Sequence, residues 1–160
     1  MNTRPEANPA LDPASIDLSS AAILVVDDNE ANLELLQAYA ESIGCRVLTA
    51  RNGIEAIELV DRDQPDLILL DVMMPRMSGF QVCAKLKGDP ATRDIPVVMV
   101  TALNEVSDVE RAVESGADDF LTKPIHRLEL ITRVKSLLRV RLLKKQLDAT
   151  LQQVRNLTGE

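Results

Sequence analysis

Leu67-Ile68-Leu69-Leu70-Asp71-Val72-Met73-Met74-Pro75 runs four apolar residues straight into one carboxylate, with a turn-forming proline close behind. An apolar run this short, entered through Pro65-Asp66, fits a strand buried on both faces of a parallel sheet. Asp71 then stands at the carboxyl end of that strand, the edge where open α/β sheets hold their ligands. By itself Asp71 can equally be a helix cap or a loop residue. The neighbouring segments decide between these.

Upstream, Ala22-Ile23-Leu24-Val25-Val26 reads as a buried strand ending in Asp27-Asp28. Asn29 can cap the next helix, in which Leu33, Leu36, Ala40 and Ile43 recur at helical spacing until Gly44 stops it. Cys45 to Ala50 forms a second strand, and Asn52-Gly53 turns into a helix bearing Ile54, Ile57 and Val60. Downstream of Asp71, Ser78-Gly79 opens a helix through Lys87 that Gly88-Asp89-Pro90 ends. Pro96 to Val100 is the fourth strand, finishing at Thr101, and Asn104 to Ser115 is a helix closed by Gly116. Asp119-Phe120-Leu121 is a short fifth strand ending at Lys123-Pro124, and a last helix begins near Arg127. Strands alternating with helices through short loops predict an α/β fold, a doubly wound five-stranded parallel sheet with an extended C-terminal helix.

At 160 residues the chain suits one domain with extensions. Phe80, Phe120 and Tyr39 are its only aromatics, so the core must be aliphatic. Residues 1–20, with Pro5, Pro9 and Pro13 and no amphipathic period, read as a disordered arm. Residues 21–139 form the domain, and 140–160 a helical extension. No run of about 18 apolar residues predicts a membrane span, and no signal peptide leads the chain, so a cytoplasmic location is expected. Cys45 and Cys83 lack metal spacing and read as reduced structural thiols. The net charge of −7 is uneven: Arg127 to Arg155 holds eight Lys or Arg against Glu129 and Asp148. A basic terminal helix on an acidic body suits self-association, a partner protein, an anionic surface, or simply a solvated face.

In a parallel sheet the strand ends share one edge, so Asp27, Asp28, Asp71, Thr101 and Lys123 converge. Three carboxylates in one pocket repel one another, and a hard divalent cation such as Mg²⁺ removes that cost. Asp71 is then a carboxylate nucleophile, Lys123 a fixed positive charge for a phosphoryl oxygen, and Thr101 a hydroxyl donor. Phosphoryl transfer mainly requires positioning and charge neutralisation, which this set supplies. His126, the sole histidine, has no expected catalytic part.

Ile23 to Asp28, Leu69 to Pro75 with Ser78-Gly79, Val100-Thr101-Ala102 and Gly116 to Pro124 together resemble a response regulator receiver domain of two-component signalling. The resemblance covers about Ala22 to Leu138 and implies the flavodoxin-like receiver fold. It implies that Asp71 accepts phosphate from a histidine kinase or a histidine phosphotransfer protein. Asp28 and Asp71 would hold Mg²⁺ through their side chains, Asp27 through water, and Met73 through its carbonyl. Thr101 and Phe120 would form a switch pair, with small Ala102 leaving room beside the phosphate. A downstream protein target would read the face near Phe120. Met73 and Leu103, two residues beyond Asp71 and Thr101, are apolar and cannot orient a hydrolytic water, so they predict either slow self-dephosphorylation or a role in packing or partner contact only.

The last helix carries no Pro or Gly before Gly159 and, if continuous to Leu157, is roughly 46 Å long. Val140, Leu143, Leu147, Val154 and Leu157 fall on a heptad track interrupted by Thr150. Such a stripe suits a homodimer through a short coiled coil, or a linker leading to an output domain. The Asp71 to Phe80 segment is similar to receivers that precede diguanylate cyclase domains, though no cyclase motif is present. No helix-turn-helix follows, so DNA binding is not expected. An aspartate-nucleophile phosphatase usually carries a second acid where Met73 stands. A flavin or nucleotide module would need a Gly-rich loop where Asp27-Asp28-Asn29-Glu30 would repel phosphate.

Overall fold

The computed structural model describes residues 16–102 and 106–159, with the side chains of 106–108 outside the description. Five strands, β1 (Ala22–Val26), β2 (Arg46–Ala50), β3 (Leu67–Asp71), β4 (Val97–Thr101) and β5 (Asp119–Thr122), form one parallel sheet in the order β2-β1-β3-β4-β5. Around it lie α1 (Glu30–Glu41), α2 (Gly53–Asp63), α3 (Gly79–Gly88), α4 (Val106–Glu114) and α5 (Arg127–Thr158). This is the doubly wound arrangement expected.

Both faces of the sheet are covered, which is why β1, β3 and β4 are buried at every position. Residues on one face, among them Leu24, Ile68 and Met99, pack with Val60 of α2, Cys83 and Leu86 of α3 and Ala112 of α4. Alternate residues, among them Ile23, Leu69 and Val98, pack with Leu33 and Leu36 of α1 and Leu130, Val134 and Leu138 of α5. Each such aliphatic side chain removed from water contributes roughly 1.5–3 kcal/mol. Cys45 and Cys83 are buried and unpaired, and burial pushes both thiols up, so neither is a reactive thiolate.

Local chemistry sets the helix starts. Asn29 accepts the Asn32 N–H, Asn52 accepts the Glu55 N–H, and Ser78 with Gln81 forms a reciprocal capping box. The strands begin a residue later than expected, β2 at Arg46 after Cys45 and β4 at Val97 after Pro96, whose carbonyl still accepts the Ile68 N–H of β3 at 3.0 Å. The expected start of α4 at Asn104, and the side chain of Leu103, lie outside the described residues. So do residues 1–15 of the expected arm; its last part, Leu18–Ser20, forms one turn of 3-10 helix capped by Asp17. Among the described residues no helix is long and apolar enough to cross a membrane.

At 32 residues, α5 is roughly 48 Å long and outruns the body. Its last body contacts are ion pairs: Lys144 to Asp94 at 3.1 Å and Lys145 to Asp66 at 2.6 Å. Asp66 is buried, and its other oxygen accepts the Ala22 N–H at 2.9 Å, so one carboxylate ties the entry of β1 to α5.

Candidate functional site

The strand order turns from β2-β1 to β3-β4 between the first and third strands, and the crevice beyond their carboxyl ends is the natural ligand site of such a sheet. The chain places there every group expected on that edge. Asp27 follows β1, held by its N–H to the Ala50 carbonyl, and is fully buried. Asp28 is exposed beside it. Asp71 ends β3 at 3% exposure, and Thr101 ends β4 buried at 8%.

Asp27, Asp28 and Asp71 each offer an oxygen within 4.8 Å of the others. Lys123 enters from the loop after β5, where its N–H bonds the Thr101 carbonyl and its bond to Pro124 is cis. Its Nζ lies 3.3 Å from Asp71 Oδ1 and 3.6 Å from Asp27 Oδ2. One cation therefore faces two buried carboxylates. Burial pushes the Asp71 carboxyl above its ordinary value and the Asp27 charge adds to the push, while Lys123 and the Met73 N–H hold it back.

Asp27 Oδ1 accepts the Asn29 N–H at 2.9 Å, but Oδ2 has no hydrogen-bond partner. A buried, unsatisfied carboxylate oxygen is costly. A hard divalent cation suits that oxygen, since three acids offer ligand oxygens there against the one Lys123 ammonium, which stands 3.6 Å from it. The residues present thus fit Mg²⁺.

The loop after β3 depends on a close approach that sequence reading treated only as a helix start. A side chain at Gly79 would collide with the Asp71 carbonyl and lie 2.9 Å from Val72 Cα. The Gly79 N–H bonds the Val72 carbonyl at 3.0 Å, so α3 begins directly against the backbone carrying Asp71. Arg76 takes a left-handed φ of 69° in the same loop. Met73 is 64% exposed at the mouth of the site. Phe120 stands 37% exposed on β5, whose register pairs it with Met99, two residues before Thr101. Ala102 is exposed just past Thr101. His126 occupies the cap position of α5 without a side-chain cap bond and is not in the acidic cluster.

The chain is similar to the Response regulator PleD of Caulobacter vibrioides, 55% identical over 128 residues that make up 80% of this chain and 28% of that protein. It is 45% identical to the DNA-binding dual master transcriptional regulator RpaA of Synechocystis over 117 residues, 73% of this chain and 48% of the relative. The chain thus spans half or less of these relatives, and their whole-protein activities do not pass to it by similarity. Among solved structures, it resembles the receiver domain of the sensor histidine kinase PA1611 from Pseudomonas aeruginosa, which has a magnesium ion coordinated in its active-site cleft. That match has a TM-score of 0.69 at 29% identity and covers 74% of this chain and 98% of the other. The response regulator receiver domain family itself matches residues 23–135, all of the sheet but Ala22 together with its acidic edge, and this chain belongs to it.

Proposed function

We propose that Asp71 is the phosphoacceptor of this receiver and that the chain acts as a switch, without a substrate turnover of its own. The observation that supports this best is a buried, hydrogen-bonded Asp71 carboxylate facing Lys123 at 3.3 Å beside two further acids. An Asp71 oxygen attacks the phosphorus of a phosphohistidine on a histidine kinase or phosphotransfer protein. The O–P bond forms as the P–N bond breaks, and the imidazole leaves with the electron pair and takes up a proton. Lys123 holds a phosphoryl oxygen by charge, and Thr101 donates its hydroxyl to another. Asp28 and Asp71, with Asp27 through water and the Met73 carbonyl, would hold Mg²⁺. When bound, Mg²⁺ neutralises charge on the acids and on the transferring group.

Once Thr101 turns toward the phosphoryl group, the space it leaves admits Phe120, and the face around β5 changes shape for a downstream protein target. The PleD match supports a place in a longer regulator, with a diguanylate cyclase as the output that the Asp71 segment suggests. The RpaA match leaves a DNA-binding output as the competing arrangement. A phosphatase reading finds no second acid at the exposed Met73.

The test is transfer from a small acyl phosphate in Mg²⁺, read by intact mass. One phosphoryl group is expected on the wild-type chain and none on Asp71→Asn or after chelation. Undiminished labelling of Asp71→Asn would refute the assignment.

A further inference from the structure

Beyond the body, α5 presents an apolar stripe that the phosphoryl site does not use. Leu147 is 55% exposed, Leu151 46% and Val154 51%. The positive charge noted for this helix lies nearer the body, where part of it is already engaged. Arg133 pairs with Asp119, Lys144 with Asp94 and Lys145 with Asp66. Residues 146–158 carry only Asp148 and Arg155 and are neutral. An anionic membrane surface therefore finds no basic face on this stretch. Two copies of it can meet without like-charge repulsion.

Leu147, Leu151, Val154 and Thr158 recur at intervals of four, three and four, the spacing of a coiled-coil seam. The track expected from sequence put Thr150 at its centre. The frame through Leu151 puts apolar side chains in both central layers instead. Asp148 and Arg155 each follow a seam residue, Leu147 or Val154, so both flank the seam along one edge. In an antiparallel pair that edge meets itself, and the two charges are opposite in sign. In a parallel pair it meets the edge carrying Thr150 and Leu157, which has no charge to offer. Body charge favours the same choice. Residues 1–145, the domain with the packed part of α5, sum to −6, since 146–158 is neutral and Glu160 carries the remaining −1 of the total of −7, and antiparallel pairing sets the two acidic bodies at opposite ends.

We infer that residues 146–158 of α5 pair antiparallel with the same stretch of a second copy of this chain. Leu147, Leu151 and Val154 form the seam, and Asp148 of each copy lies beside Arg155 of the other. Exposed charges of this kind set orientation more than affinity. The overlap is under two heptads, so the dimer is weak. Packing of residues 127–145 on the body offsets the nucleation cost such a short helix would bear alone.

Orientation is read by cross-linking the full-length chain. Equimolar Leu147→Cys and Thr158→Cys chains, mildly oxidised, are expected to join to each other, with Leu147→Cys alone remaining unlinked. Cys45 and Cys83 are buried and stay silent. Light scattering is expected to show a concentration-dependent dimer whose dissociation constant rises about tenfold in Asp148→Arg. The swap Asp148→Arg/Arg155→Asp should restore it. Self-linking of Leu147→Cys would overturn the orientation. A monomer up to about 1 mM, or binding to phosphatidylserine vesicles in place of dimerisation, would overturn the pairing itself.

Discussion

Replacing Lys123 by Ala isolates the electrostatic problem at the centre of the site. The ammonium lies 3.3 Å from Asp71 and 3.6 Å from Asp27, and its side chain is 25% exposed. At an effective dielectric near 20, each attraction is worth roughly 5 kcal/mol, and two carboxylate oxygens within 4.8 Å of each other repel by roughly 3.5 kcal/mol or more. Desolvation of the ammonium offsets much of the attraction. Removing one partner from a buried ion pair costs about 3–5 kcal/mol, and the partial exposure of Lys123 places the expected loss near about 3 kcal/mol at neutral pH without Mg²⁺. The pH dependence has a definite sign. The folded protein holds a proton on Asp71 more strongly than the unfolded chain does, so stability falls as pH rises from the unfolded pKa through the folded one. Loss of Lys123 removes an interaction that holds the folded value down. The variant should therefore recover stability on acidification sooner than wild type, and the gap between them should narrow. Saturating Mg²⁺ should narrow it too. Urea denaturation at neutral and mildly acidic pH, with and without Mg²⁺, measures both effects. A loss of the same size in every condition would mean that Lys123 stabilises by packing its aliphatic stem, and the charge argument would fail.

Three further perturbations probe the supports of the site. Gly79→Ala forces a methyl against the Asp71 carbonyl and should cost about 1–3 kcal/mol, with weaker Mg²⁺-induced stabilisation; unchanged denaturation midpoints would contradict the close approach. Asp66→Ala strands the buried Ala22 N–H and should cost about 1–3 kcal/mol, while Asp66→Asn, which keeps an acceptor, should recover most of it. Equal losses in the two Asp66 variants would assign the effect to charge instead. On the proposed phosphoacceptor reading, Met73→Glu puts a carboxylate at the mouth of the site, where it can orient a water. Phosphate should then leave Asp71 faster than in wild type, measured by intact mass over time, and an unaltered decay would dismiss Met73 as the determinant.

The sheet was legible because its strands are short aliphatic runs with an acid, hydroxyl or lysine at their ends. Asp27, Asp71, Thr101 and Lys123 needed only the rule that parallel strands share an edge. What escaped reading depends on through-space approach. Nothing around Gly79 announces that α3 begins in contact with the Asp71 backbone, because the constraint comes from a carbonyl eight residues earlier. Arg76 adopts a left-handed φ that sequence would assign to glycine or asparagine. On the inferred pairing the seam takes Leu151 where a heptad counted from Val140 takes Thr150. The frame has meaning only where the helix leaves the body, and that point is set by Lys144 and Lys145.

Strand β3 carries a buried acid at each end, and the contrast between them separates structure from function. Asp66, just before the strand, has one oxygen on the Ala22 N–H and the other on Lys145. It is satisfied, and its place is to fix the lower edge of the sheet and the start of the free part of α5. Asp71, at the other end of the strand, shares a single lysine with Asp27, is driven toward protonation, and sits beside an Asp27 oxygen with no hydrogen-bond partner. A chain selected for stability alone would relieve such a cluster with a second cation or an apolar replacement, since breaking even costs less than burying unpaired charge. On the proposed phosphoacceptor reading, retaining it leaves a site whose energy would fall when a metal ion and a phosphoryl group arrive. The same five-residue strand thus starts beside an acid whose two oxygens each have their own partner and ends in one that must share its lysine with a neighbouring acid.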